Sequence, residues 1–148
     1  MAEQQRYEFK KVPEEYLYDF FSEGPNGKVK KVARYRLIDE QNSIYNLGFG
    51  DWDEKNDDIN DRVKTNNLDR EKVLMTIADT IVDFTANHPK AAIFIQGSTL
   101  SRTRLYQMGI AAFWPNIVEI FNVIGYTQDQ WAPFKKGINY EAFLVQRK

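Results

Sequence analysis

The chain has 148 residues, which fits one domain with one core, since domains commonly run about 100–150 residues. With 43% apolar and 28% charged residues, it has the composition of an ordinary globular protein and not of a disordered or membrane-embedded one. A net charge of −1 provides no global attraction to nucleic acid or to an anionic membrane, so any such attraction must be local.

There is no cysteine, which excludes disulfides, thiolate metal sites, iron–sulfur clusters and a cysteine nucleophile, and agrees with a reducing cytosol. The start, Met1-Ala2-Glu3-Gln4-Gln5-Arg6, has no apolar segment, and no run of about 18 apolar residues follows, so neither secretion nor a membrane span is expected. Aromatic residues make up 14% of the chain and suit half-buried pleated surfaces, so a sheet is expected to carry much of the core.

The first third reads as strands. Residues 16–22 are aromatic-rich, Gly24-Pro25-Asn26-Gly27 supplies turn chemistry, and residues 28–38 alternate, which predicts a hairpin. Residues 44–50 predict a third strand after a polar turn. In the second strand Lys28, Lys30, Arg34 and Arg36 share one face and Val29, Ala33, Tyr35 and Leu37 the other, because strand side chains alternate. The basic face is expected to be a solvated exterior. Gly48-Phe49-Gly50 reads as a strand end with a bulge.

Residues 51–61 form an acidic run that fails as a calcium loop. Counting from Asp51, Lys55 holds the fifth position, Asn56 stands where a sharp turn needs glycine, and Arg62 stands where a bidentate glutamate is needed. A solvated loop is predicted instead.

Val73, Leu74, Ile77, Ala78, Ile81, Val82 and Thr85 recur at helical steps and predict a long amphipathic core helix, with Asn67 or Asp69 as its cap and His88-Pro89 at its end. His88, the only histidine, suits a helix exit, where a cation is favourable. Residues 91–96 predict a short buried strand leading into a second helix. Trp114-Pro115-Asn116-Ile117-Val118-Glu119-Ile120 fits a short helix with proline in its first turn. Two strands, residues 121–127 and 140–146, close the chain as an antiparallel pair joined through Trp131-Ala132-Pro133-Phe134. The reading is one α+β domain, 1–148, with a mostly antiparallel sheet and two main helices.

Chemistry concentrates at one turn. Gly97, Ser98 and Thr99 follow a buried strand and open a helix bearing Arg102, Arg104 and Tyr106. Unpaired backbone N–H groups at a helix start, with arginines nearby, are a way to hold phosphate or carboxylate. Residues two apart on a helix diverge by about 200°, so Arg102 and Arg104 do not face one ligand together. The simpler reading, in which Ser98 or Thr99 caps the helix and Gly97 permits the turn, is preferred. The spacing is neither a Walker loop nor a dinucleotide fingerprint. No base or nucleophile elbow accompanies Ser98, and one histidine without cysteine argues against zinc. No catalytic residue, metal or cofactor is assigned.

Two resemblances follow from these segments. Tyr45-Asn46-Leu47-Gly48-Phe49-Gly50-Asp51-Trp52, Gly97-Ser98-Thr99 with Arg102-Thr103-Arg104-Leu105-Tyr106, and Tyr140-Glu141-Ala142-Phe143-Leu144-Val145 resemble, over nearly the whole chain, a family of small proteins of unknown function common in Bacteroidota. That resemblance implies a bacterial cytosolic setting. Three antiparallel strands, a long helix, a strand, a helix with Leu105-Tyr106-Gln107-Met108-Gly109-Ile110 and two last strands also resemble the second part of the GNAT acyltransferase fold. There the helix reads Ala-x-x-Leu-Tyr-x-x-x-Gly-Phe, one residue longer. Thr65-Asn66-Asn67-Leu68-Asp69-Arg70 stands where that fold carries its pyrophosphate-binding Arg/Gln-x-x-Gly-x-Gly/Ala. The analogy implies Tyr106 as a general acid.

The expected function is a non-catalytic binding or regulatory module acting with a protein partner or as a homo-oligomer, in a stress, defence or toxin–antitoxin setting. Phe113-Trp114-Pro115 and Trp131-Ala132-Pro133-Phe134 are its expected contact patches. The alternatives are a divergent GNAT-like acyltransferase or an enzyme taking a phosphate-containing ligand at the Gly97 turn, and RNA binding by residues 28–36 with Tyr35. The acidic balance argues against a nucleic-acid partner.

Overall fold

Pro25 and Asn26 close the first hairpin as their residue types predict. A computed structural model describes residues 6–60 and 67–148. In it β2 (Leu17–Gly24) and β3 (Gly27–Asp39) pair antiparallel from Leu17↔Arg34 to Gly24↔Gly27. Strand β1 (Lys10–Val12) precedes them, and β4 (Ile44–Asp53) and β5 (Asp58–Asn60) follow. Then come α1 (Arg70–Asn87), β6 (Ala92–Ile95), α2 (Leu100–Ala112), α3 (Trp114–Ile120), β7 (Phe121–Thr127), β8 (Gln130–Pro133) and β9 (Ala142–Arg147).

Among the described residues these elements make an α+β fold: nine strands in one mostly antiparallel sheet, with three helices. The pairing order is β1-β2-β3-β4-β6-β9-β7-β8, with β5 on β4. The β4/β6 pair is parallel, with Ile44↔Ala92 and Asn46↔Phe94 in register, and β9 lies antiparallel between β6 and β7. No described helix is long and apolar enough to cross a membrane. The chain divides into two units, Met1–Arg36 with Gly48–Phe84, and Leu37–Leu47 with Thr85–Lys148.

In the first unit α1 lies on the sheet face that carries Tyr18, Phe20, Ser22, Ala33 and Tyr35, all buried. The contact is built from rings and hydroxyls. Tyr35 stacks on Phe84 with centroids 4.3 Å apart, and its hydroxyl shares a 2.8 Å hydrogen bond with Thr80. Tyr18 donates to Asp83 at 2.7 Å, and Lys11 also reaches that carboxylate. Burial opposes ionisation of Asp83, but the Tyr18 hydroxyl and the Lys11 ammonium outweigh it and hold the carboxyl below its ordinary value. This corrects the helix face read from periodicity. Of the predicted face Ile77 and Thr85 are buried, together with Thr76, Thr80 and Phe84, whereas Val73, Leu74, Ala78, Ile81 and Val82 are only half-buried.

The helix start is also redistributed. Asp69 offers its carbonyl to the Val73 N–H and its carboxylate to the hydroxyls of Tyr7 and Ser22. Asn67, 3% exposed, ties down the hairpin turn: it accepts from the Asn26 N–H and donates to the Gly27 carbonyl and the Ser22 hydroxyl. Arg62 of the calcium-loop comparison, and Thr65 and Asn66 of the segment standing in the pyrophosphate-binding position, lie outside the described residues.

Two further expectations are corrected here. β4 runs through Gly48-Phe49-Gly50 without ending, and the acidic run continues it, then turns back as β5 with Trp52↔Ile59 in register. Asp51 is not solvated. It is 8% exposed and paired with Lys31, itself 8% exposed, which the alternation of β3 places on the inner face beside Ala33 and Tyr35. Each charge can be buried because the other compensates it.

In the second unit the buried sheet face is apolar: Ile93 and Ile95 of β6, Phe143 and Val145 of β9, and Phe121 and Val123 of β7. Phe134 and Tyr140, both buried, pack on Phe143, and Trp114 of α3 lies 5.0 Å from Phe134. Gly125 is required here, because a Cβ would meet the Tyr140 ring at 2.3 Å. The His88 ring tilts against Tyr45 at 6.0 Å, and its carbonyl accepts the Ala91 N–H that turns the chain into β6.

The buried ion pair makes a sharp stability prediction. Lys31→Met alone removes the ammonium from beside the buried Asp51 carboxylate and should cost about 3–5 kcal/mol, whereas Lys31→Met with Asp51→Leu should return stability to within about 1 kcal/mol of the parent or above it. Urea denaturation followed by circular dichroism measures both.

Candidate functional site

The Gly97 turn is a helix start that satisfies itself. Thr99, the N-cap of α2, accepts the Arg102 N–H on its hydroxyl at 3.2 Å. Thr103, 2% exposed, accepts the Gly97 N–H at 2.9 Å and donates to the Thr99 carbonyl. Two of the N–H groups that could face an anion are therefore directed into the turn's own hydroxyls. Gly97 is needed for close approach: a Cβ there would lie 2.5 Å from the Thr103 nitrogen and 2.6 Å from the Arg102 Cβ.

Gly97, Ser98, Thr99 and Arg102 come together at this turn, with Ser98 and Thr99 exposed and Arg102 half-buried. Arg104 is exposed and Tyr106 half-buried further along α2. Their steps of two residues diverge around the helix, as the sequence predicts. Next to Tyr106, Gln107 accepts the Tyr140 N–H and donates to the Ile138 carbonyl, which ties α2 to the segment before β9. Among the described residues, no group of three or more His, Asp or Glu is placed to hold a metal ion.

Two part-exposed clusters on the outer sheet faces gather side chains from several strands. On the second unit's outer sheet face, Phe94 of β6, Leu144 of β9, Ile124 of β7 and Pro133 of β8 stand opposite one another in one row. The next row holds Ala142, Tyr126 and Trp131. The Trp131 ring lies 5.1 Å from Tyr126 and reaches Phe94 at 6.3 Å, yet the residue stays 43% exposed. This divides the expected contact segment: Trp131, Ala132 and Pro133 are exposed, with only Trp131 and Pro133 on the outer face, while Phe134 is 7% exposed in the core. Phe113 and Trp114 are half-buried, with Pro115 exposed.

On the first unit's outer face, Phe21 stands opposite Lys30, whose ammonium lies 5.5 Å from the Trp52 ring centroid. Tyr35, which the alternation places on the opposite face, is 2% exposed there, so it does not join the basic row of the RNA-binding alternative. The face is not simply a solvated exterior either, since Val32, between Lys30 and Arg34, is 1% exposed. Alternation around Lys30 was the available signal, but the cross-strand partners Phe21 and Trp52 are nonlocal.

A mostly antiparallel sheet with three helices, a self-capped helix start and part-exposed aromatic rows define an α+β protein. The chain belongs to a family of unknown function (DUF6934), whose model matches residues 3–148. No curated protein and no solved structure matches it.

The capping geometry predicts that Thr103→Val, which keeps the shape but strands the Gly97 N–H, costs about 1–3 kcal/mol. Arg104→Ala, on an exposed position, should change stability by no more than about 0.5 kcal/mol. Thermal and urea unfolding of the two variants test the assignment.

Proposed function

We propose that the chain is a non-catalytic binding or regulatory module that docks a protein partner on the outer sheet face of its second unit. The observation that carries this reading is the row Phe94, Leu144, Ile124 and Pro133 with Tyr126 and Trp131 beside it. Trp131 and Pro133 are exposed and Phe94, Leu144, Ile124 and Tyr126 half-buried, so the row leaves apolar surface in water, and aromatic side chains of this kind supply much of the energy at protein interfaces. The row contains no charged residue, so a partner needs no compensating charge there. The setting that fits is the cytosol of a bacterium, Bacteroidota included, within a stress, defence or toxin–antitoxin system.

Tagged wild-type protein should retain a defined partner from the native host, or self-associate in light scattering, and Trp131→Asp should abolish either while leaving the circular dichroism spectrum unchanged. A strict monomer that retains nothing the Trp131→Asp variant does not also retain would overturn the reading.

One observation favours a second reading. The parallel β4/β6 pair separated in sequence by α1, with α2 following β6, is compatible with a GNAT-like acyltransferase shell or an enzyme for a phosphate-containing ligand. Under it, one of Arg102 and Arg104 supplies charge and Tyr106 the general acid. A ligand at a hundred times its dissociation constant should then stabilise the fold by about 2.7 kcal/mol, so thermal shifts with coenzyme A derivatives, nucleotides and phosphate decide. The absence of any shift removes this reading.

A further inference from the structure

The first unit's outer face differs in chemistry from the second's. β3 places Lys28, Lys30, Arg34 and Arg36 on it, with Lys30 and Arg34 half-buried, and β2 places Phe21 there, because Lys31, Ala33 and Tyr35, which alternate with them, are buried on the other side. Phe21 is 45% exposed. Lys28 lies over the Phe21 ring at 5.9 Å and Lys30 over the Trp52 ring at 5.5 Å, so cations and ring faces alternate across three strands. Two of the cations are partly committed: Lys28 is 3.7 Å from Glu23 and Arg34 is 3.3 Å from Asp58. Among the described residues Lys30 and Arg36 form no ion pair.

We infer that this face binds single-stranded nucleic acid, with bases stacking on Phe21 and Trp52 and phosphates met by Lys30 and Arg36. Charge complementarity selects an anionic partner. The flat rings select among anions, because an unpaired base offers a π-face that a duplex keeps stacked inside and an acidic peptide lacks. The overall charge of −1 confines the electrostatic contribution to this row. Contacts to about two to four phosphates give a salt slope of about −1.4 to −2.8 on a single strand, shallow beside that of a strongly basic protein.

The test is fluorescence anisotropy of the full chain with labelled 12-nucleotide oligo(U) and oligo(dT), and with a duplex of matched length. Binding to either single strand, stronger than to the duplex and with a salt slope in the stated range, is expected. The ratio of the two single strands then tells RNA from DNA. Phe21→Ala and Trp52→Ala should each weaken binding at least about 5-fold, the lower bound for losing one base stack. Lys30→Gln should make the salt slope shallower by about 0.7. Phe21 is exposed and its variant should stay folded, so it decides the matter if Trp52→Ala fails to fold. Absence of binding at 100-fold excess of protein over probe, equal binding of the duplex, equal competition by polyglutamate, or indifference to Phe21→Ala would each overturn the inference.

Discussion

Alternation of side chains along a strand is the constraint on which the rest of this structure depends. A strand that buries Tyr18, Phe20 and Ser22 must present Leu17, Asp19, Phe21 and Glu23 on its other side. In the first unit α1 closes one sheet face, and the opposite face receives the cations of β3 together with Phe21 and Trp52. In the second unit the packed face takes Ile93, Phe143 and Val123, and alternation sends Phe94, Leu144 and Ile124 outward in a matching row. The exposed chemistry of each unit is therefore the complement of its core.

The α1 contact specifies a single arrangement more tightly than an aliphatic one would. Aliphatic side chains pack adequately in several registers, whereas the hydrogen bonds of Tyr35 to Thr80, Tyr18 to Asp83 and the Tyr7 N–H to Thr76 each demand a particular distance and direction. Sliding the helix by one residue would strand the buried Tyr35–Thr80 pair at about 1–3 kcal/mol and break the two part-buried bonds as well. Among the described residues no buried side-chain nitrogen or oxygen is left without a partner, so the polar contact stabilises one register without leaving an unpaired group.

Local signals carried the elements well. The Pro25-Asn26 turn, the extent of α1, proline at the start of α3 and the span of β7 all follow from patterns a few residues long. β8 did not show itself because its hairpin turn uses Gln128 and Asp129 at φ 50° and 61°, where the usual signal is Asn-Gly or Asp-Gly. The inner face of α1 was read only in part, at Ile77 and Thr85, because periodicity favours Val, Leu and Ile, while the sheet also selected Thr76, Thr80 and Phe84 to meet its tyrosines. Asp51 looked solvated in an acidic run, and nothing within that run could point to Lys31, twenty residues earlier on a neighbouring strand. Both outer rows are likewise products of register and not of motif.

The Gly97 turn shows why a motif can be legible and its chemistry still open. Glycine, hydroxyl residues and arginines at a helix start form the same string whether the N–H groups await an anion or are already capped. The distinction lies in where each donor points. Here the Thr103 hydroxyl takes the Gly97 N–H and the Thr99 hydroxyl takes the Arg102 N–H, so an anion seeking those two donors would have to displace bonds that hold the first turn of α2 together. Any gain from charge would be reduced by that loss, about 1 kcal/mol for each net bond. The outer rows face less competition: Phe21 and Trp131 are 45% and 43% exposed, so a partner arriving there displaces water and, on Phe21, the Lys28 ammonium over its ring.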